Sequence, residues 1–304
     1  MVRKTLLFIL LLGLARGLYA QLQPLQTFYA QNSMTVNPAN TGIQAKGSVY
    51  LWHRSQWLGF DGAPSTEILS FEYPLMHSSF GANIMYDNHG PESNTSFTGY
   101  YAFMFDLSDM THISLGINAG LNHYGYDASK INLKDQGEAF LENNQSLTYF
   151  TAGAGITFFS DKWFVGLSSP SLVPVKINQS ASPVQTDFMP SIYFNAGGTF
   201  PVSYNIYAQP SVLIRYNNSV PVSMETNVML LFYDKFLFGL SYRLNAAYSA
   251  MIGYHLTENF KIGYAFDLDA NPIRKYNNGS HEIFLKYIFE TRQANVRFQS
   301  PRFF

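Results

Sequence analysis

Apolar and polar side chains alternate along most of this chain, in runs of roughly ten residues. In the stretch 260–268, Phe, Ile, Tyr, Phe and Leu occupy every second position, and Lys, Gly, Ala and Asp lie between them. A period of two places the two sets on opposite faces of a β-strand. We identify about 14 such segments, and runs of this kind are typical of outer-membrane barrel strands. The segments are 46–53, 66–74, 79–87, 95–105, 111–121, 148–158, 162–168, 189–199, 204–215, 221–232, 235–243, 247–254, 258–268 and 280–290.

The composition favours a membrane barrel over the alternative, a soluble β-sandwich or propeller. Charged residues make up 13% of the chain, about half the usual share, and aromatic residues make up 16%. A sandwich buries its apolar face and shows charged side chains to water, whereas a membrane barrel turns its apolar face toward lipid. We therefore predict an all-β fold, a transmembrane outer-membrane β-barrel of about 14 antiparallel strands. The net charge of -1 gives no reason to expect nucleic acid as a partner.

The connections between segments are short at one end and mostly longer at the other. Examples of the short ones are 160–161 and 233–234, and the longer ones include 54–65, 88–94 and 122–147. Outer-membrane barrels have tight periplasmic turns and long outer loops. With an even number of strands, this pattern predicts that both termini are periplasmic.

The chain divides into a predicted signal peptide at 1–20, an N-terminal segment at 21–45, the barrel at 46–290 and a tail at 291–304. The N-terminal segment is rich in turn-forming residues and is predicted to lie in the periplasm or to fold into the lumen. Eight strands give a barrel filled by side chains and sixteen give a channel, so about 14 strands lie between the two cases. Closure of the lumen by this segment or by a folded-in loop is therefore a hypothesis.

The first twenty residues have the features of a secretory signal peptide. Arg3 and Lys4 precede an apolar run from Thr5 to Leu14, and Ala20 precedes the polar Gln21. The run is too short to span a bilayer, which disfavours the alternative, a retained membrane anchor. The leader predicts export to the envelope.

Patterns for catalysis, metal binding or cofactor binding are not recognisable in this sequence. The chain has no cysteine, its seven histidines lack metal-binding spacing, and no G-x-S-x-G occurs. Asp267, Asp269 and Asn271 have the spacing of a calcium loop, but Pro272 stands where glycine is needed. We expect a non-enzymatic protein with no cofactor and no metal site.

Four charged residues near the end of the barrel are predicted to project into the lumen. They are Lys261, Asp267, Lys286 and Glu290. One interpretation is a charged constriction, and the favoured one is cross-strand pairing inside a polar lumen.

The stretch "HRSQWLGFDGAPST" at 53–66 connects the first predicted strand to the second. Asp61, Gly62 and Pro64 are typical turn residues. Trp57 and Phe60 would then lie in the aromatic girdle at the membrane interface. This stretch is thus predicted to form the lip of the barrel and not a catalytic loop.

Three blocks of sequence keep their order over nearly the whole mature chain, and together they resemble the PorP/SprF family of Bacteroidota outer-membrane proteins. The first block is "FYAQNSMTVNPANTG", the second follows the first strand, and the third is the terminal "SPRFF". The residues that carry the resemblance are Asn37, Pro38, Ala39 and Gly42, then Arg54, Gln56, Trp57, Gly59, Asp61, Gly62, Ala63 and Pro64, and finally Ser300, Pro301, Arg302, Phe303 and Phe304.

The resemblance implies a non-enzymatic outer-membrane component of type IX protein secretion and the related gliding machinery. It implies contacts with type IX secretion subunits of the periplasm and outer membrane, with a secreted cargo protein held at the cell surface, and with outer-membrane lipid. The alternative function is an outer-membrane pore or channel for small solutes. An enzyme barrel of lipase or protease type is a third hypothesis, for which the sequence offers no nucleophile–base pair.

The tail after the last predicted strand has three interpretations. It is a periplasmic extension that docks a partner, a recognition tag for barrel assembly, or the continuation of a closing strand that runs beyond residue 290.

Overall fold

The structure, a computed structural model, describes residues 24, 26–130, 144–177, 186–188, 190–218 and 220–291. The predicted signal peptide at 1–20 and the terminal block Ser300–Phe304 lie outside these residues, so both stay predictions. Among the described residues, no helix has the length and apolar content needed to cross a bilayer.

Strands dominate the part of the chain that the structure describes. They are β1 (Gly47–Ser55), β2 (Ser65–Leu75), β3 (Ser78–His89), β4 (Glu92–Asp106), β5 (His112–Tyr126), β6 (Gln145–Phe159), β7 (Trp163–Ser169), β8 (Val175–Ile177), β9 (Thr186–Phe188), β10 (Ile192–Gly198), β11 (Phe200–Ser203), β12 (Ile206–Asn217), β13 (Val220–Phe232), β14 (Phe236–Arg243), β15 (Ala247–His255), β16 (Phe260–Asp269) and β17 (Ser280–Phe289). Short 3-10 helices are η1 (Tyr29–Thr35), η2 (Pro38–Asn40), η3 (Ala128–Lys130) and η4 (Pro272–Tyr276).

The wall is a closed antiparallel barrel of 14 strands. β17 pairs with β1 from Gly47↔Phe289 to Ser55↔His281, which closes the cylinder. β10 and β11 form one wall strand interrupted at Thr199, and both pair with β12, while β8 and β9 form a separate ribbon. Closure leaves no open edge, as a sheet in lipid requires. The predicted fold is confirmed, and β17 is the closing strand.

Side chains along each wall strand alternate between the lumen and the outside. In β5, Leu115, Ile117 and Leu121 are 45%, 59% and 56% exposed, whereas His112 and Asn118 are 5% and 6% exposed. The same alternation recurs in β14, β15 and β17. An outer band of exposed Leu, Ile and Phe side chains of this extent faces lipid, because water-soluble monomers do not expose apolar patches this large.

Two connections differ in extent from the prediction because the strands continue past the apolar alternation. β3 runs to His89 and β4 starts at Glu92, so the predicted loop 88–94 is a two-residue turn at Gly90 and Pro91. β5 and β6 likewise extend the ladder to Tyr126↔Gln145. Backbone pairing needs no apolar side chains, so the strands extend where the hydropathy pattern has already ended.

The two ends of the barrel carry different connections. The short-turn end holds the turns β2–β3, β4–β5, β6–β7, β11–β12, β13–β14 and β15–β16, and β1 begins there. The long-loop end holds the connections β1–β2, β3–β4, β5–β6, β7–β10, β12–β13, β14–β15 and β16–β17. That the short-turn end faces the periplasm stays a prediction.

Single cysteines test this orientation cleanly, because the chain has none of its own. Asp61 is exposed at the long-loop end and Asp109 at the short-turn end. We expect a membrane-impermeant maleimide to label Asp61→Cys on intact cells, and Asp109→Cys only after the outer membrane has been opened. The opposite pattern of labelling would contradict the predicted orientation.

Candidate functional site

Residues 26–46, here called the lumenal segment, lie inside the barrel. Thr27, Met34 and Ala39 are 0% exposed. Tyr29 Oη lies 2.8 Å from Ser211 Oγ on β12, and other residues of the segment hydrogen-bond to β2, β6, β7 and β17. A segment that contacts strands all around the wall occupies the lumen and is not free in the periplasm.

The lumenal segment spans the barrel from one end to the other. It joins β1 at the short-turn end through Lys46. Asn32 donates to Ser70 Oγ at 3.0 Å, midway along β2. Gln26 lines a space together with Asn122 and residues of the long-loop half of the wall. The segment is therefore anchored at several heights.

Asn37 anchors the segment near the short-turn end. Its side-chain Oδ1 accepts from the backbone N–H of Ala39 at 3.0 Å and so caps η2. Its amide nitrogen donates to Thr157 Oγ1 at 2.9 Å and to the Ile156 carbonyl at 3.1 Å. Pro38 suits the first helical position because its fixed φ fits and its missing N–H is not needed there. The first three motif residues thus form one cap that is bonded to β6.

Three glycines on β5, β6 and β7 make room for this cap. A Cβ on Gly116 would lie 2.2 Å from Ala39 N, and one on Gly155 would lie 2.0 Å from Asn37 Oδ1. A Cβ on Gly166 would lie 2.6 Å from Asn37 Nδ2. These distances are shorter than any normal contact, so no larger residue fits without movement of the segment.

Gly155→Ala and Gly99→Ala form a matched pair that tests this fit. An added methyl group at Gly155 overlaps Asn37, so we expect a loss of about 1–3 kcal/mol in the free energy of unfolding. At Gly99 the nearest atom, Ala119 O, is 3.9 Å away, so we expect a change within about 0.5 kcal/mol. Urea unfolding in detergent measures both, and equal losses would contradict a tight seat under Asn37.

Gly42 fixes the end of the lumenal segment against β2 and β3. Its φ is +70°, in the left-handed region that favours glycine. Its backbone N–H donates to Glu72 Oε2 at 2.7 Å, and a Cβ would lie 2.2 Å from Ser79 Oγ. Both conformation and space therefore require glycine at this motif position.

The predicted lumenal charges find different partners from those expected. Asp267 and Lys286 are each 1% exposed and face the lumen. Lys286 Nζ donates to the Gln31 carbonyl of the lumenal segment at 2.8 Å. Glu290 instead lies at the barrel end and pairs with Lys46 at 2.7 Å, with both side chains partly in solvent. Lys286 therefore anchors the lumenal segment to β17.

A buried ionic cluster at the long-loop half of the lumen centres on Arg54. Its guanidinium pairs with Asp267 Oδ2 at 2.8 Å and, through its other terminal nitrogen, with Glu282 Oε1. The Thr27 backbone N–H donates to both oxygens of Glu282, at 2.9 and 3.0 Å, and its hydroxyl donates at 2.8 Å. The cluster therefore ties the lumenal segment to β1, β16 and β17.

Further residues extend the cluster around the wall. Arg243 Nε donates to Glu225 Oε2 at 3.0 Å, and another of its nitrogens lies 3.6 Å from Asp267. Trp52 Nε1 donates to Glu282 at 3.1 Å. All of these charged side chains are at most 5% exposed, and a buried charge that loses its partner is strongly destabilising. The cluster fixes one arrangement of segment and wall.

The second motif block forms a rim loop, residues 56–64, at the long-loop end. Leu58 exchanges two backbone hydrogen bonds with the β16–β17 connection, to Gly279 O and from Asn278 N, both at 2.9 Å. Gly62 O accepts from Gly90 N at 2.9 Å, in the β3–β4 turn. The rim loop is thus bonded to the connections on both sides of it.

Bonds within the rim loop set its shape. Gln56 N donates to Pro64 O at 2.9 Å and Ala63 N donates to Phe60 O at 3.1 Å. Gly59 has a φ of +91°, which only glycine adopts readily. Asp61 is at the exposed tip.

Trp57 and Phe60 differ in their surroundings. Trp57 is half-buried, and its indole N–H donates to Asp269 at 3.4 Å while its backbone N–H donates to Ser280 Oγ at 3.2 Å. Phe60 is 47% exposed. Trp57 therefore fixes the rim to the barrel, and the girdle position stays a prediction. Of the residues with calcium-loop spacing, Asp267 pairs with arginine and Asp269 accepts from Trp57.

Several residues of this arrangement were not predicted from the sequence. Thr27, Glu225, Arg243 and Glu282 hold the lumenal segment or the cluster but belong to no motif block. The wall residues among them are charged side chains at lumen-facing positions of strands whose other face is apolar. A charged residue in step with the polar positions of such a strand can be recognised in the sequence and predicts a lumenal charge.

Comparison with known proteins assigns the chain to a family. The family described as type IX secretion system membrane protein PorP/SprF matches residues 18–287. The chain belongs to the PorP/SprF family. The resemblance to this family is confirmed, although the terminal block Ser300–Phe304 lies outside the matched residues. This PorP/SprF barrel is an outer-membrane component of type IX secretion. Among curated proteins, no sequence matches it.

Solved structures similar to this PorP/SprF barrel are outer-membrane barrels. The toluene transporter TbuX of Ralstonia pickettii has a TM-score of 0.54 and 9% identity, with 84% of this chain and 92% of TbuX covered. A mutant of the monoaromatic hydrocarbon channel TodX has a TM-score of 0.52 and 8% identity, with 86% of this chain and 94% of the TodX mutant covered. A Pseudomonas aeruginosa FadL homologue has a TM-score of 0.50 and 10% identity, with 91% of this chain and 96% of the homologue covered. At such identities the likeness shows the fold alone.

Proposed function

We propose that this PorP/SprF barrel serves type IX secretion by protein–protein contact, as a non-enzymatic scaffold whose lumen stays filled. Its partners are periplasmic and outer-membrane subunits of the secretion machinery and a secreted cargo protein at the cell surface. The observation that carries the proposal is the lumenal segment, which is bonded to β2, β6, β7, β12 and β17.

A filled lumen argues for contact because it removes the route that a pore needs. The anchors include the Arg54 cluster and the glycine seat of Asn37, which lie in opposite halves of the barrel. To open a path, both would have to release. The alternative function, a pore for small solutes, would need a path past both anchors.

The rim loop is the proposed surface for one of these contacts. Leu58 and Phe60 are 48% and 47% exposed at the long-loop end, although the backbone around them is held by hydrogen bonds. Fixed, exposed apolar side chains are typical of protein-binding patches. The terminal block Ser300–Phe304 is a second proposed contact, on the predicted periplasmic side.

Affinity purification from envelope extract in mild detergent tests the proposal. We expect the tagged chain to recover secretion subunits or cargo, and Leu58→Ser/Phe60→Ser to lose at least one partner. Leu244→Ser is the matched control, since Leu244 is 45% exposed on another turn at the same end. A chain that recovers no secretion protein, yet lets sugars swell liposomes, would instead be a solute pore.

A further inference from the structure

A cavity of about 170 Å³ lies between the lumenal segment and the wall. Gln26, Tyr29 and Thr35 line it on one side, and residues of β3 to β6, β10 and β12 line it on the other. The segment is tied to the β1–β17 side by the Arg54 cluster, which leaves this space against the opposite wall. It has room for on the order of ten waters, or for one small ligand.

Five tyrosines are among the residues that line the cavity. They combine a flat apolar face with a polar tip, which suits a ligand that is apolar on its faces and polar at its edges. The rings belong to Tyr29, Tyr100, Tyr124, Tyr149 and Tyr193.

Uncharged hydrogen-bonding groups fill the spaces between the rings. Amides supply both donors and acceptors, and hydroxyls supply either. Among them are Asn83, Asn94, Asn122, Ser96, Thr98 and Thr151. Such a mixture matches a molecule that itself carries many hydroxyl groups.

The charged residues at the edge of the cavity are already engaged with other protein groups. His89 Nε2 lies 3.1 Å from Glu92 Oε2, and His89 Nδ1 lies 3.5 Å from Asp87 Oδ2. Arg215 donates to Ser223 Oγ at 2.9 Å, and the other lining carboxylate is held by Arg243 in the ionic cluster. The carboxylates and His89 are thus paired within the protein, and Arg215 interacts electrostatically with Glu225. The charges of the lining are therefore compensated within the protein, and the cavity favours a neutral ligand.

We propose that this cavity is a binding site for a neutral, polyhydroxylated molecule of monosaccharide size. The ligand's hydroxyls bond to the amides and hydroxyls of β3 to β6, and its ring packs against tyrosine faces. This inference does not rest on the proposed secretion contacts, because no partner protein takes part in the binding.

Equilibrium binding to the purified full chain in detergent tests the site. After overnight equilibration, saturation-transfer NMR compares glucose, mannose, galactose and N-acetylglucosamine with glucuronate and toluene. We expect saturable binding of at least one neutral sugar and none of glucuronate or toluene. Preferential binding of toluene or glucuronate, or no saturable binding at all, would overturn the proposal.

Two asparagine variants locate the binding. Asn122→Leu keeps the side-chain size and removes the hydrogen bonds, so we expect affinity to fall about tenfold. Asn227→Leu makes the same change on the lumenal face of β13, at a residue that does not itself line the cavity, and should bind as the unmodified chain does. An equal loss in both variants would place the sugar elsewhere or nowhere specific.

Discussion

Deletion of residues 26–43 is expected to turn a closed barrel into a conducting one. The deletion removes Thr27, Lys286's acceptor at Gln31, and the Asn37 cap, so the lumen loses the chain that fills it. Fourteen strands enclose more space than their own side chains fill, since eight strands suffice for a filled interior. Planar-bilayer recordings should then show steady nanosiemens-scale openings that the full chain lacks.

Folding of the deletion variant has to be shown separately. A folded barrel migrates differently in gel electrophoresis before and after heating, which shows whether the wall has closed. A folded deletion variant that remains non-conducting would contradict the view that the lumenal segment seals the barrel.

Replacement of Arg54 by methionine is expected to cause the largest loss of stability from a single substitution. Glu282 and Asp267 are 0% and 2% exposed, and both lose a direct cationic partner. Removing one partner of a buried pair costs about 3–5 kcal/mol. We expect a loss near the lower end of this range, because Asp267 still interacts with Arg243 and Glu282 still accepts hydrogen bonds from Thr27 and Trp52. Urea unfolding in detergent measures the change.

Two further variants distinguish the contribution of the buried ionic cluster from that of an ordinary surface ion pair. Lys46→Met breaks the Lys46–Glu290 pair, whose side chains are 45% and 65% exposed, and should cost no more than about 1 kcal/mol. Arg54→Met/Glu282→Gln removes one unpaired charge and should recover part of the loss. If Arg54→Met lowers the free energy of unfolding no more than Lys46→Met does, the buried cluster stabilises the barrel no more than a surface ion pair.

The strands of the barrel could be predicted from sequence because lipid imposes a period of two on them. The faces of β16 were predicted residue by residue, with Phe260 and Tyr264 outward and Ala265 and Asp267 inward, as the structure has them. Strand ends were predicted less well, since at Tyr126 and Gln145 the backbone ladder continues without the apolar pattern. Hydropathy reports the lipid contact of a strand and not its length.

The filling of the lumen could not be predicted in the same way. Thr27 and Glu282 are separated by 255 residues, and no local pattern connects them. Gly116, Gly155 and Gly166 contact the lumenal segment from β5 to β7, but nothing in the sequence indicates that Asn37 is the neighbour of Gly155. The motif block around Asn37 was found through the family resemblance, and only the fold shows that it seats against glycine.

The central claim, that secretion depends on contact while the lumen stays filled, is tested most directly by fastening the lumenal segment to the wall. In Asn37→Cys/Gly155→Cys, a Cβ at residue 155 would lie 3.0 Å from the position of Asn37 Cγ, which the new sulfur occupies. That separation, about 3 Å from one β carbon to the other sulfur, is what a disulfide spans. The bond forms in an oxidising periplasm, in a chain with no other cysteine. In cells whose cargo export requires this PorP/SprF barrel, the account predicts that export continues at the unmodified rate with the disulfide formed. Export that stops with the disulfide and returns on its reduction would contradict the account, because the lumen would then have to open.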